Sequence, residues 1–144
     1  MSHVRKQIRD AIVTAVTGLS TTGTRVYKTR IYPLEQGKLP GICVYTKSEE
    51  SIPLTITKPR TMQRILEVML ESYTLAGDDG LDQICLEVEE AIYSNSALNA
   101  LVKDIYTSSF EADFSGDGEK PVATGRLTVV CEYITAENDV ETNA

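Results

Sequence analysis

Apolar residues recur at intervals of three and four in two segments of the chain, residues 4–19 and 77–95. The first stripe consists of Val4, Ile8, Ala11, Ile12, Ala15, Val16 and Leu19, and the second of Leu81, Ile84, Cys85, Val88 and Ile92. This spacing places the apolar side chains on one face of a helix. We therefore predict two amphipathic helices, the first capped by Ser2 and the second by Asp78 or Asp79.

Elsewhere the apolar positions alternate with polar ones or form short runs, which is typical of β-strands. Strands are predicted within residues 24–34, 41–47, 61–77, 102–114 and 122–137. The apolar run at 41–47 favours a central place in the sheet. Residues 61–77 also fit helical spacing through Ile65, Met69 and Tyr73, so a helix stays open there, although the alternation favours a strand. Residues 96–104 predict a short turn or helical cap.

Two segments between the strands carry residues that are typical of turns. Residues 47–60 contain Pro53 and Pro59. Because proline cannot donate to a strand ladder, this segment is predicted to be an edge hairpin or a projecting loop outside the core. Residues 116–121 contain two glycines and a proline, which predicts a hairpin turn between the last two strands.

The order of these elements predicts an α+β fold, with one mainly antiparallel sheet of four to five strands and two helices packed on one face. A length of 144 residues favours a single domain, residues 1–136, followed by a flexible acidic C-terminal tail, residues 137–144. No apolar run approaches the ~20 residues of a membrane helix. The N-terminus lacks the apolar region of a secretory signal, so we expect a cytoplasm-like compartment.

The net charge and the cysteine content further restrict the classes of function that the sequence fits. The formal net charge is −7, whereas proteins that grip nucleic acid through its phosphates present a basic surface. Nucleic-acid binding is therefore not expected as the main task. The sequence contains three cysteines, an odd number, and none of them forms a CxxC pair: Cys43, Cys85 and Cys131. They are predicted to be buried apolar residues rather than disulfides or zinc ligands.

Motifs for catalysis or metal binding are incomplete in this sequence. Residues 113–118 begin like a calcium loop, but its twelfth position is Thr124, where a bidentate glutamate is needed. Phosphate-binding glycine loops and the GxSxG motif do not occur. The lone histidine, His3, lies near the terminus and leaves serine or cysteine nucleophiles without a base. We expect no enzyme activity, no catalytic residue, no metal and no cofactor.

Four stretches of sequence carry a family resemblance: VRKQIRDAIVTAVTGL at 4–19, RIYPL at 30–34, LPGICVYTKSEES at 39–51 and DGEKPVATGRLTVVCEY at 117–133. Together they resemble the tail terminator, or minor tail protein U-like, family of long-tailed bacteriophages. The resemblance implies a non-enzymatic α+β subunit that forms a hexameric ring at the head-proximal end of the virion tail, assembled in the host bacterial cytoplasm. Such a ring caps the tail tube, ends its polymerisation and provides the attachment surface for the head connector.

The resemblance also implies the partners: copies of the same chain, the tail tube protein and a head-side connector or completion protein. DNA would only pass through the bore, and no membrane is involved. A cyclic ring needs heterologous contacts, in which one patch fits a different patch on the neighbour. We predict that two segments of mixed charge bind protein, although for any single residue a hydrated loop position is the better expectation. They contain Lys47, Glu49, Glu50, Lys58 and Arg60, and Asp113, Asp117, Glu119 and Lys120.

Two other functions fit the same sequence. Another neck, tail-completion or head-closure protein of the phage particle would also be small, and a closure factor would bind DNA-filled heads rather than tail tubes. A small α+β ligand-binding domain or enzyme would be a monomer or dimer that some metabolite stabilises. Five of the tyrosines suit either a sheet core or an interface: Tyr27, Tyr45, Tyr73, Tyr106 and Tyr133.

Overall fold

The computed structural model describes residues 2–28, 40–115 and 122–142. Within these ranges lie three helices and five strands: α1 (Val4–Val16), β1 (Val26–Tyr27), β2 (Gly41–Pro53), β3 (Thr61–Thr74), α2 (Gly77–Tyr93), α3 (Ser96–Leu101), β4 (Asp104–Ser115) and β5 (Val122–Ala136). The strands form one sheet in the order β1-β2-β3-β5-β4. β1 runs parallel to β2, and the other neighbouring pairs are antiparallel. The predicted α+β class is confirmed.

The segment that the sequence leaves open between strand and helix is β3, the central strand of the sheet. It pairs along its length with β2 on one side and β5 on the other. The consecutive residues Val68, Met69 and Leu70 are all buried, so β3 buries side chains on both faces. Apolar residues therefore occur at both odd and even positions, which is why the segment also fits helical spacing. Within the described residues, β2, predicted to be central, lies between two strands near Ile42 and Cys43, where β1 pairs with it; residues 29–34 of the predicted first strand lie outside the described residues.

The helices pack on one face of the sheet and share a single core with it. The helices contribute Val4, Ile8, Ile12, Val16, Ile84, Val88, Ile92 and Leu98 to this core. The strands contribute Ile42, Val44, Leu66, Val68, Leu70, Leu127, Val129, Cys131 and Tyr133. The two long helices bury most of the predicted stripes, because residues at helical spacing share one face. The other stripe residues, Ala11, Ala15, Leu19 and Cys85, are half-buried, and Leu19 lies beyond the end of α1. The short α3 lies where a turn or helical cap is predicted.

The start of α1 differs from the prediction. His3, rather than Ser2, is the N-cap residue, and its Nδ1 accepts a hydrogen bond from the backbone N–H of Arg5 at 3.0 Å. The N–H of Val4 donates to the carbonyl of Val140 at 2.7 Å. Two of the backbone donors that a helix start leaves unpaired are thereby satisfied. Flexibility of residues 137–144 stays a prediction, although this bond joins part of that segment to α1.

The start of α2 also differs from the prediction. Ala76, rather than an aspartate, occupies the N-cap position and makes no side-chain capping bond. Gly77 follows with a φ of +70°, a conformation that favours glycine, and turns the chain from β3 directly into the helix. Asp78 and Asp79 consequently lie in the first turn, where their carboxylates favour the positive end of the helix dipole.

The face of the sheet opposite the helices carries a polar cluster around Glu71. Its carboxylate accepts hydrogen bonds from the hydroxyls of Tyr45 and Tyr73, and the Nε of Arg126 lies 3.8 Å from it. Burial and the hydrogen bond to Glu71 raise the pKa of Tyr73. Burial and the charge of Glu71 raise the pKa of Cys43 to about 12. The cluster links β2, β3 and β5 through their side chains.

The three cysteines are free thiols, as predicted. Cys43 and Cys131 are buried, and Cys85 is half-buried. Burial raises the pKa of Cys131 to about 12, so this thiol stays protonated and unreactive at neutral pH. Cys85 has a pKa raised to about 11, first by burial and then by the charge of Glu89. Cys43 and Cys131 are thus buried apolar residues as predicted, whereas Cys85 is only partly buried.

Candidate protein-binding surfaces

Residues 47–60 form the outer half of a hairpin between β2 and β3. The N–H of Leu54 donates to the carbonyl of Thr61 at 2.7 Å, so the two chains stay paired beyond the end of β2. Residues 51–59 are all exposed, and Ile56 near the tip retains 92% of its accessible surface. The predicted edge hairpin is therefore present, and it extends beyond the core. We call residues 47–60 the β2–β3 hairpin.

A β-bulge at Lys47 determines which of two neighbouring glutamates faces the core. The pairing register with β3 shifts at this residue, so one extra residue is inserted into the strand. Beyond the bulge Glu49 pairs with Leu66, a core residue, and the adjacent Glu50 is exposed. An uninterrupted strand would reverse this arrangement, because successive side chains point to opposite faces.

The Glu49 carboxylate is enclosed within the subunit, and its side chain is only 7% exposed. It accepts a 2.6 Å hydrogen bond from Nη1 of Arg5, and Nη1 of Arg64 lies 3.6 Å away. The hydroxyl of Tyr133 also donates to it. Burial and this hydrogen bond raise the pKa of Tyr133, so the hydroxyl remains a donor. Glu49 therefore joins the hairpin to α1, β3 and β5 of its own chain.

Glu49→Gln is expected to lower the free energy of unfolding by about 1–3 kcal/mol, since Arg5 and Arg64 lose the charge that pairs with them. Glu50→Gln is the matched control, because it changes the adjacent, exposed carboxylate. This control should shift the free energy by less than about 0.5 kcal/mol. Urea denaturation of both variants at neutral pH measures the difference. Equal effects would contradict the inward orientation of Glu49.

The structure separates the two predicted binding segments. Five of the predicted residues lie on the β2–β3 hairpin: Lys47, Glu49, Glu50, Lys58 and Arg60. Asp113 is exposed on β4, where it pairs with Thr124 near the start of β5. Three others lie outside the described residues: Asp117, Glu119 and Lys120. The turn predicted at 116–121 stays a prediction, although β4 and β5 pair up to its borders.

A second surface, which no sequence pattern indicates, lies between α2 and the outer edge of β4. Phe110 and Phe114 of β4 and Leu86 of α2 are each about half exposed there. A β-bulge at Ser108 shifts the register with β5, so the two phenylalanines lie on the helix side while Tyr106 lies on the other face. Simple alternation would place all three aromatic residues on one face, and the sequence carries no signal for the bulge.

Acidic side chains of α2 lie beside these apolar residues. On α2, Asp82 and Glu89 lie one helical turn on either side of Leu86 and share its face. Thr107 of β4 donates to Oε1 of Glu89 at 3.2 Å, which identifies this face as the one toward β4. The exposed carboxylates Glu111 and Asp113 lie on the opposite face of β4, since successive side chains of a strand alternate. We call the following residues the α2/β4 flank: Asp82, Leu86, Glu89, Phe110 and Phe114.

The tyrosines divide between the core and the surface. Tyr133 is fully buried, and Tyr106 on β4 is 42% exposed. Tyr45 and Tyr73 are half-buried in the cluster around Glu71, and Tyr27 is half-buried on β1. The choice between core and interface is thus resolved in favour of the core for Tyr133.

The described residues supply little for catalysis or ligand chemistry. A largely apolar cavity of about 550 Å³ opens near the start of α2. Its described lining consists of Thr21, Pro40, Thr74, Leu75, Ala76, Gly80 and Gln83, none of which ionises near neutral pH. Nowhere in the described ranges do three or more potential metal ligands cluster. None of the helices in these ranges has the length and apolar character needed to cross a membrane.

The family model for phage minor tail protein U matches residues 3–133 of the chain. Because this match covers most of the sequence, the chain belongs to the phage minor tail protein U family. No curated protein matches the sequence. The chain is thus a structural protein of a phage tail and a component of the virion, and the family suggests a non-enzymatic role.

Proposed function

We propose that this chain is a tail terminator that forms a homo-oligomeric, hexameric ring. The ring caps the tail tube, ends its polymerisation and provides the attachment surface for the head connector. The observation that carries the proposal is the family match over residues 3–133. The partners are therefore further copies of the chain, the tail tube protein and a head-side connector or completion protein. Assembly takes place in the host cytoplasm, at the head-proximal end of the tail.

The arrangement of the two surfaces supports a ring. A closed ring of identical subunits needs two different patches on each subunit, one for each neighbour. The β2–β3 hairpin and the α2/β4 flank differ in shape and charge, and they lie on strands separated by β3 and β5. The net charge of −7 also suits a bore through which DNA passes, since like charge keeps phosphates from adhering.

The oligomeric state tests the ring directly. Light scattering of the purified protein over a range of concentrations and salt should give a mass of six times the 15.8 kDa subunit. The same measurement should be made with purified tail tubes present, with electron microscopy of the tube ends. A protein that stays monomeric in solution and also leaves tube ends bare would contradict the proposal.

A phage that lacks this chain tests the terminator role. Its tails should vary in length and fail to join capsids, because tube polymerisation has no stop and the connector has no docking surface. Purified protein should bind the exposed end of assembled tubes rather than DNA-filled heads without tails. Tails of uniform length that still join capsids would overturn the proposal, and binding to heads alone would favour a head-closure factor.

A further inference from the structure

We infer that each subunit inserts its β2–β3 hairpin against the α2/β4 flank of the next copy of the chain. This inference rests on the proposed ring and identifies the two patches that close it. Its first support is the distribution of charge. The chain as a whole is acidic, yet the hairpin presents the basic side chains Lys47, Lys58 and Arg60. Only one hairpin carboxylate, Glu50, is exposed, because Glu49 is enclosed by its own subunit.

The flank presents the opposite charge. Its carboxylates, Asp82 and Glu89, lie on the face of α2 toward β4. The whole of α2 contains six acidic residues and no basic one. A basic projection and an acidic helix face on the same subunit attract each other between copies, while two hairpins or two flanks repel. Charge therefore favours contact between two different patches, which a ring needs, over contact between two copies of the same patch.

Apolar side chains occur on both surfaces as well. Ile52 and Leu54 are about half exposed on the hairpin, and Ile56 projects fully. On the flank, Phe110 and Phe114 offer two half-exposed aromatic rings. Interfaces bury such apolar and aromatic groups at their centre and keep charges at the rim. The contact thus has an apolar centre for affinity and a charged rim for partner choice.

The contact uses side chains rather than an added β-strand. The N–H of Leu54 points to β3, since it donates to Thr61, so the nitrogen of the preceding Pro53 faces the outer edge of β2. Proline has no N–H to donate, and its position on an outer edge blocks strand addition there. The hairpin is therefore suited to insertion into a recess and unsuited to extending a neighbouring sheet.

The two surfaces are too far apart to meet within one subunit. Thr61, at the base of the hairpin tip, pairs with Ala136 at the end of β5, whereas Phe114 pairs with Ala123 near its start. At the rise of a strand these β5 positions are roughly 40 Å apart. The hairpin and the flank also lie on different sides of the central strand. Each surface is consequently available to a neighbouring copy.

Charge reversal on either surface tests the inference. Lys58→Glu with Arg60→Glu should make the hairpin acidic, and Asp82→Lys with Glu89→Lys should make the flank basic. Each double variant alone should associate about tenfold or more weakly than the wild type, because like charges then face each other. Lys6→Glu with Lys103→Glu is the control for net charge, since both exposed lysines lie outside the two surfaces and Lys28 still pairs with Asp10, and it should form the wild-type ring.

Mixing the two double variants gives the sharpest result. At one contact the acidic hairpin of the first variant faces the basic flank of the second. At the next contact the unchanged basic hairpin of the second variant faces the unchanged acidic flank of the first. An equimolar mixture should therefore recover the full ring mass with alternating subunits. Circular dichroism and urea denaturation establish that each variant is folded. If the wild type forms a ring whose mass neither double variant reduces, this pairing is wrong and the ring stands. If the wild type forms no ring in solution or on tube ends, the proposed function itself fails.

Discussion

Leu70→Ala is expected to lower the free energy of unfolding by about 2–5 kcal/mol. Leu70 is 1% exposed on the central strand and faces the helices between Val44 of β2 and Leu127 of β5. Truncation leaves a cavity that a close-packed core fills only in part. Because a single domain is stable by about 5–15 kcal/mol, this loss is a large share of the total. Urea denaturation measures it as a lower midpoint with an unchanged slope.

Leu86→Ala is the matched control, since it removes the same atoms from a residue that is 50% exposed on α2. The free energy of unfolding should change by less than about 1 kcal/mol. Leu86 also belongs to the α2/β4 flank, so this variant should weaken ring formation while the subunit stays stable. Similar losses of stability for Leu70→Ala and Leu86→Ala would contradict the packing of β3 between two strands and the helix layer.

The helices are predictable from the sequence because each buries a single face. In α1, Val4, Ile8, Ile12 and Val16 are buried, so the pattern of apolar residues reports burial directly. β3 is harder to predict, because it lies between two strands and buries side chains on both faces of the sheet. Its apolar residues therefore do not simply alternate with polar ones. Its assignment depends on pairing with strands far along the chain, which a local pattern does not contain.

The candidate surfaces were predictable only in part. Pro53 and Pro59 place a projecting hairpin at 47–60 correctly, because proline is confined to edges and turns. Glu49 lies inside and Glu50 outside because of the bulge at Lys47, and no residue type in the sequence predicts that bulge. The α2/β4 flank has no sequence signal at all, since it joins residues from a helix and a strand that are adjacent only after folding. Local chemistry indicates turns, and pairing register determines which side chains reach the surface.

Glu71→Gln is expected to lower the free energy of unfolding by about 2–3 kcal/mol. The carboxylate is the shared acceptor for the hydroxyls of Tyr45 and Tyr73, and Arg126 lies 3.8 Å away. Glutamine keeps the shape but offers one oxygen, and its NH₂ group is a donor that faces a second donor. One tyrosine hydroxyl must turn to accept, and Arg126 loses the opposite charge. Urea denaturation against the wild type gives the size of the loss.

Glu67→Gln is the control, because this glutamate lies on the same strand and face and accepts a 2.8 Å hydrogen bond from the exposed Ser48 hydroxyl. Its effect should stay below about 1 kcal/mol. A second measurement separates the charge of Glu71 from its shape. Burial and the bond to Glu71 both raise the pKa of Tyr73, so Glu71→Gln should lower that pKa toward the ordinary tyrosine value, while burial keeps it somewhat high. Spectrophotometric titration of the tyrosines should show this shift for Glu71→Gln and not for Glu67→Gln. An unchanged tyrosine titration would mean that the carboxylate does not bind these hydroxyls.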